Sequence, residues 1–319
     1  MFNLEKLYDN LPWLAAERSR LERSVAEGTF PHSLIIQGRN GMGRRQLALW
    51  IAASVLGAPV VRAGRGTDAP ELIHPDFVSL EPELDKKSGK QKKSIGIDQI
   101  RSLIEFLNLT SHGTGGRVAV LYPADRMTVE AANSLLKTLE EPPGSTVIIL
   151  ITETLGHLPA TVISRCQRVR LVPPEPQVAL DWLEREVPGQ QFSKLLEFAG
   201  GAPLEVLALK AAGFSEFANQ FMVMVDALEQ SGISPVAVAA KCRDREAVAL
   251  QLLEWRLSER IRHNIASPGG VVEGSQALTN AGFRQMSQIR DLRRVINRGI
   301  NAELSLAGLL LDWYGGLGH

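Results

Sequence analysis

The chain is poor in cysteine: Cys166 and Cys242 are the only two among 319 residues. Two thiols cannot form a disulfide framework, and a four-cysteine zinc site is beyond this chain alone. Neither sign of charge is in surplus, since 35 basic residues face 35 acidic ones. No overall positive field therefore draws the chain to phosphate, and any contact with nucleic acid has to come from a local patch. Long apolar runs are missing as well. No stretch reaches membrane-spanning length, and the N-terminal residues mix acids, bases and apolar side chains without a signal-peptide core. The expectation is a cytoplasmic protein without membrane attachment. What is present, 45% hydrophobic and 22% charged residues, is ordinary globular composition, and the length suits two or three domains.

The most informative segment is Gly38-Arg39-Asn40-Gly41-Met42-Gly43-Arg44-Arg45. Its glycines have the separation of a P-loop, in which backbone N–H groups cradle phosphate, a lysine reaches the β and γ oxygens and a Ser or Thr hydroxyl holds magnesium. Here arginines stand at both of the latter positions. Arg44 retains a charge that can meet a phosphate. Arg45 cannot ligate a cation, because a guanidinium is always protonated and has no lone pair to give. The companion acidic pair at the end of a neighbouring strand is also missing: Arg117-Val118-Ala119-Val120-Leu121 runs into Tyr122-Pro123-Ala124-Asp125. Asp125 comes three positions late, in a turn where helix capping is the expected job. Two independent losses predict a fold shaped around a nucleotide that this chain does not hydrolyse.

Ser33–Gln37, Asp76–Leu80, Val118–Leu121 and Thr146–Ile151 read as strands rich in β-branched residues, continuous enough to be buried on both faces. Helical patterns over 45–56, 98–109 and 128–139 alternate with them, which predicts a doubly wound parallel sheet. After Arg170, Val172-Pro173-Pro174-Glu175-Pro176 forms a stiff connector, and the remainder is helical. The expected domains are 1–170, 171–210 and 211–319. In the last, Leu250, Leu253, Leu257 and Ile261 form one stripe and Ile289, Leu292 and Ile296 another, while Leu304 to Trp313 is apolar on several faces.

Asn133-Ser134-Leu135-Leu136-Lys137-Thr138-Leu139-Glu140-Glu141-Pro142-Pro143, followed by Ser164-Arg165-Cys166, joins the glycine loop to make a pattern. Together these segments resemble the clamp-loader branch of the AAA+ ATPases, and in particular a subunit of the bacterial DNA polymerase III clamp loader whose own ATP site is spoiled. The resemblance covers the whole chain in order. It implies an α/β RecA-like AAA+ domain, a small helical lid and an all-α collar, and Gly299-Ile300-Asn301-Ala302-Glu303-Leu304 is similar to the last collar helix.

The same resemblance implies roles for the intact pieces. Arg165, within the Ser164-Arg165-Cys166 motif, is the expected arginine finger, projected into the ATP site of a neighbouring subunit. From the tripeptide alone, pairing of Arg165 with an internal carboxylate remains open. Gly38, Gly41, Gly43, Arg44, Arg45 and Thr152 become a vestigial nucleotide site, with Thr152 a leftover of a γ-phosphate sensor. Glu205, in Gly200-Gly201-Ala202-Pro203-Leu204-Glu205, falls near the place of a second sensing arginine. Lys137 is expected to face DNA through its phosphates, with a solvated helix lysine as the alternative. Glu140 and Glu141 read as structural or interfacial. The implied partners are the ATPase (gamma/tau) and delta subunits, the beta sliding clamp and primer-template DNA in the assembled ring, in a nucleoid-associated replisome. ATP and magnesium would be bound by those partners, with no productive cofactor here.

Other segments read more plainly. The run Lys86 to Lys93 is either a mobile solvated loop or a DNA-touching one, and His74-Pro75-Asp76 is expected to set a turn. Loaders of this type often carry a cysteine-rich zinc module where this chain has Gly57 to Gly66, so zinc and any other metal are not expected. Two alternatives to the loader role stay open. One is a weak ATPase using Arg44 and Asp125; the other is a free-standing nucleic-acid-binding module using the lysine run.

Overall fold

The computed structural model describes residues 11–57, 61–62, 70–84, 89, 91–112, 116–231, 233–266, 273–296 and 301–316. They form two compact units, Met1–Val206 and Leu207–His319.

In the first unit a short 3-10 turn, Pro12–Leu14, precedes α1 (Ala15–Ala26), β1 (Ser33–Gln37) and α2 (Arg44–Leu56). A two-stranded antiparallel pair, β2 (Val61–Arg62) with β3 (Pro70–Glu71), is followed by β4 (Phe77–Leu80), α3 (Ile97–Asn108), β5 (Val118–Leu121) and α4 (Val129–Glu140). Then come β6 (Val147–Thr152), the short α5 (Ala160–Ile163) and β7 (Gln167–Arg170). The main sheet has the order β4-β5-β6-β1-β7 with every pairing parallel, which is the doubly wound arrangement expected from the alternation of strands and helices. Strand β7 was not expected. It contributes one buried side chain, Val169, between the exposed Arg168 and Arg170, so an edge strand with one wetted face lacks the apolar run that marks its neighbours.

Alternation across the pleat divides the apolar residues of the sheet. Ile35, Ala119, Leu121, Ile148 and Leu150 share a core with Ile100, Leu103 and Leu107 of α3 and Leu135 and Leu139 of α4. Helix α2 lies against β1, β5 and β6 and buries Leu47, Ala48 and Ile51. Helix α4 starts at Thr128, whose hydroxyl accepts the Ala131 N–H at 3.2 Å. The capping role expected of Asp125 therefore belongs to Thr128, because Asp125 sits upstream in a separate 3-10 turn, Ala124–Arg126.

The His74-Pro75-Asp76 fragment does set a turn. The Asp76 N–H donates to the His74 ring at 3.1 Å, and the Phe77 N–H to the His74 carbonyl at 3.1 Å. The fully buried Asp76 carboxylate accepts the His112 N–H at 2.9–3.0 Å and lies 3.5 Å from the buried Arg117 guanidinium. Arg117 in turn donates to the carbonyls of Leu109 and Thr110 and stacks 4.4 Å from the Phe106 ring centre.

After the proline connector come α6 (Pro176–Glu186), α7 (Ser193–Phe198) and α8 (Pro203–Ala211). The second unit is helical: α9 (Phe214–Ser231), α10 (Pro235–Lys241), α11 (Glu246–Ala266), α12 (Glu273–Val295) and α13 (Ala302–Gly316). Leu250, Leu253, Leu257 and Ile261 are buried as one stripe, and Ile289 and Ile296 are buried with Leu292 at the margin. Glu254 of α11 takes Arg290 at 2.8 Å and Arg293 at 2.5 Å from α12. Partial burial pushes the Glu254 carboxyl up, but the hydrogen bonds from Arg290 and Arg293 outweigh it and hold the group below its ordinary value. In α13, Leu306, Ala307, Leu310 and Trp313 are buried while Leu304 and Leu311 are exposed. Among the described residues no helix is long and apolar enough to cross a membrane.

Candidate functional site

The glycine loop joins β1 to α2. Gly41 and Gly43 have φ of 74° and 87°, the left-handed region that glycine enters without a steric penalty. The Gly38 N–H donates to the Thr152 carbonyl at 3.3 Å, anchoring the loop to the end of β6. These features belong to a phosphate cradle, but the space beside the loop is filled by the chain itself.

Contacts on two sides fill it. A Cβ added to Gly41 would collide with the backbone nitrogen of Glu205, at the start of α8. The Leu204 N–H donates to the Gly41 carbonyl at 3.1 Å, and the Asn40 amide donates to Glu205 Oε2 at 2.6 Å. On another side, a Cβ on Gly43 would lie 2.9 Å from Leu11 and 3.0 Å from Leu14, and the Trp13 indole donates to the Met42 carbonyl at 3.0 Å. Trp13 also meets Trp182 of α6 edge to face, with ring centres 5.1 Å apart. Loop, N-terminal turn and small helical region thus close on one another.

The charges are arranged accordingly. Arg44 is buried, and its guanidinium lies 6.0 Å from the Tyr122 ring centre, within the range of a cation–π contact. Arg45 lies 5.7 Å from the same ring and pairs with Glu81 at 2.9 Å. Tyr122 occupies the end of β5, where a magnesium-binding carboxylate would be needed. Cations at a helix N-terminus oppose its dipole, and the aromatic face together with Glu81 offsets that cost. Thr152 is fully buried rather than idle. Its hydroxyl lies 2.9 Å from both Asp125 Oδ1 and the Thr154 carbonyl, and accepts the Thr154 N–H at 3.2 Å. The Asp125 carboxylate is thereby tied to the end of β6.

Burial pushes the Glu205 carboxyl above its ordinary value; the Asn40 hydrogen bond opposes the rise, Glu153 adds to it and Arg44 opposes it. A raised acid binds its proton more tightly when folded, so the wild type loses stability as pH climbs from 4.5 through the raised value. Glu205→Gln keeps an acceptor for Asn40 without the charge. Denaturant midpoints measured from pH 4 to pH 7 are expected to fall for the wild type relative to this variant. A relative gain for the wild type over that window would mean that the contact favours the carboxylate.

The Ser164-Arg165-Cys166 segment follows α5. Cys166 joins the sheet core, and burial pushes its thiol up to about 12, so it fills space and is not a nucleophile at neutral pH. The Ser164 hydroxyl donates to the Thr161 carbonyl at 3.1 Å. Arg165 is 31% exposed and pairs with Glu140 at the end of α4, its Nε donating to Glu140 Oε1 at 2.6 Å. Pairing with an internal carboxylate, left open in the sequence, is therefore what this chain does. Lys137 is exposed on α4, one turn before Glu140.

Of the residues expected to matter, the fold brings Gly38, Gly41, Gly43, Arg44, Arg45 and Thr152 together and keeps Arg165 apart from them, before the N-terminal end of β7, whereas the glycine loop lies beside the strand's C-terminal end. Sequence reasoning missed Trp13, Met42, Glu81 and Trp182, and only Glu205 carried a signal, its position after the paired glycines. Lys86, Lys87 and Lys90 lie outside the described residues, as do 58–60 and 63–69 in the segment considered for zinc. Lys92 is paired with Glu83 at 2.8 Å.

The parallel sheet order, the glycine loop ahead of α2, the following small helices and the helical second unit define a RecA-like AAA+ fold with an all-α C-terminal portion. A solved structure of the same fold is a DNA polymerase III gamma subunit-related protein from Thermotoga maritima, at a TM-score of 0.56 and 20% identity, covering 95% of this chain and 99% of that one. The family model described as DNA polymerase III, delta subunit, matches residues 15–175. DNA polymerase III subunit delta' of Pseudomonas aeruginosa is 35% identical over 240 residues, spanning 72% of this chain and 70% of that protein. The Escherichia coli subunit delta' is 30% identical over 94% of each chain. The chain belongs to the DNA polymerase III subunit delta' family.

Proposed function

We propose that this chain is a non-hydrolysing subunit of a replicative clamp loader, with a RecA-like domain (1–170), a lid (171–210) and a collar (211–319). In this reading it presents Arg165 in trans to ATP held by a neighbouring gamma/tau-type subunit, while the beta clamp is loaded onto primed DNA. One observation carries the proposal. The chain's own lid fills the loop at Gly41, whereas Arg165 stays at the surface with Cys166 buried behind it.

Several features support the division of labour. Arg45, which is no metal ligand, is engaged by Glu81 and Tyr122, and the Asp125 carboxylate is bonded to the Thr152 hydroxyl, which supports a chain that leaves magnesium to its neighbours. Glu205, seated against the loop, brings no positive charge to the phosphates that the glycines were shaped to hold. With the lid joined to the loop, the domain would act as a stator against which ATP-binding neighbours move. Magnesium and ATP belong to those neighbours. Lys137, exposed on α4, would neutralise a phosphate of DNA threaded through the ring without reading its sequence. Cytoplasmic location follows from this reading.

The purified chain, given magnesium and ATP, is expected to show no turnover above background under conditions where the assembled loader turns over. Magnesium-dependent turnover by the chain alone, abolished by Asp125→Ala, would contradict the proposal and establish an ATPase that uses Asp125.

A further inference from the structure

The guanidinium of Arg165 is occupied on two sides by its own chain. Its Nε and Nη2 edge meets Glu140 Oε1, and Nη1 donates to the Thr161 carbonyl at 2.8 Å and lies 3.4 Å from Ser164 Oγ. The two contact groups differ in kind. Thr161 lies in α5 and Ser164 at its C-terminal cap, directly before Arg165, so those bonds are local to the arginine and aim it. Glu140 comes from the far end of a different helix, 25 residues earlier, and is 48% exposed.

Glu140 also sits where a carboxylate is disfavoured. It is the last residue of α4, at the negative end of the helix dipole, and the arginine supplies the cation that such a terminus favours. Glu141 follows it and is exposed, with no hydrogen bond to Arg165. Before Arg165 can offer an edge to a phosphate, the Glu140 contact must open, because Nη1 is already committed to Thr161.

We infer that Glu140 is a positioning residue that docks Arg165 in the unassembled chain and yields it to the phosphate of the neighbour's nucleotide. This rests on the reading of Arg165 as a finger in trans. The exchange is one anion for another. A nucleotide phosphate carries more charge than a carboxylate and accepts the same fork, while water takes over the released, half-exposed Glu140. A finger held in this way contributes little until a nucleotide-bearing neighbour is in register, which lowers turnover by partly assembled or idle rings. A half-exposed ion pair is weak, so the restraint is a bias rather than a lock.

The test has two parts. In the purified full-length chain with nitrogen-15-labelled arginine, the Arg165 Nε–H resonance is identified by its absence in Arg165→Ala. Its exchange with water is expected to be slow in the wild type, several-fold faster in Glu140→Gln, and slow again in Glu140→Asp. In the reconstituted loader without DNA or clamp, Glu140→Gln is expected to raise ATP turnover about two- to fivefold, the range open to an exposed pair, and Glu140→Asp to restore it.

Unchanged exchange in Glu140→Gln would overturn the docking contact. A loader with Glu140→Gln that turns over at or below the wild-type rate, while Arg165→Ala is inactive at its site, would overturn the docking role and leave the finger standing. Unchanged turnover with Arg165→Ala would instead remove the finger, and this inference with it.

Discussion

Asp76→Ala is expected to destabilise the first unit by about 3–5 kcal/mol, the cost of removing one partner from a buried ion pair. The carboxylate is fully buried and the Arg117 side chain is 4% exposed, so water cannot replace what is lost. Two things fail together. The guanidinium loses its counter-charge and the His112 N–H loses its acceptor, so both lose their link to the start of β4. Arg117 keeps two backbone carbonyls and the Phe106 face, which places the expected loss inside that range rather than above it. Domains of this kind are stable by only about 5–15 kcal/mol in total, so the variant is close to the folding threshold. Asp76→Asn, which retains an acceptor for His112, is expected to lose less. Denaturant unfolding of the two variants beside the wild type measures both. A shift under about 0.5 kcal/mol for the alanine variant, within the scatter of ordinary surface changes, would contradict this account of the cluster.

The second large effect is on turnover by partners. Arg165→Ala in the assembled loader is expected to slow hydrolysis at the site it faces by about 10³-fold or more, the scale of an arginine finger supplied in trans. Such an effect needs a guanidinium that arrives in one orientation, since a preorganised charge acts without reorganisation in the transition state. The local structure meets that need. Val162 and Cys166 are buried on either side of Arg165, whose N–H is bonded to the Val162 carbonyl and whose Nη1 is bonded to Thr161. Arg165→Lys is expected to recover little, because a lysine keeps the charge but not the planar fork. Total turnover falls only by the share that this one site contributes.

Much of the fold was legible in the sequence, for reasons that differ from residue to residue. Strands β1, β5 and β6 are central in the sheet and buried on both faces, so Leu34-Ile35-Ile36 and Val147 to Ile151 show themselves as apolar runs. The glycine loop was visible because its backbone geometry demands glycine at fixed spacing. Strand β7 was hidden because an edge strand beside Arg168 and Arg170 needs only Val169 to be apolar. The closure of the loop was hidden for another reason. Trp13 reaches Met42 across 29 residues and Asn40 reaches Glu205 across 165, and contacts over such separations leave no periodicity behind. Asp125 misled through its own position. A carboxylate in a turn before a helix has the look of a cap, but Thr128 lies at the boundary itself, and Asp125 is left for the Thr152 hydroxyl.

The Glu140 and Arg165 pair shows the limit of reading motifs one at a time. Both residues lie in recognisable segments, yet nothing in either segment says that they touch. The fold brings them together because α4 ends beside the turn after α5, and α4 and α5 pack on each other. An internal pair this exposed is weak enough to leave open the role in trans proposed for Arg165.

The most direct test is ATP turnover by the loader reconstituted with this chain, primed DNA and the sliding clamp, comparing wild type with Arg165→Ala after gel filtration has shown that both assemble equally. Loss of turnover at one partner site, with the chain alone inactive in both forms, is the predicted result. Equal turnover by the two loaders would contradict the claim that this chain works by completing a neighbour's active site.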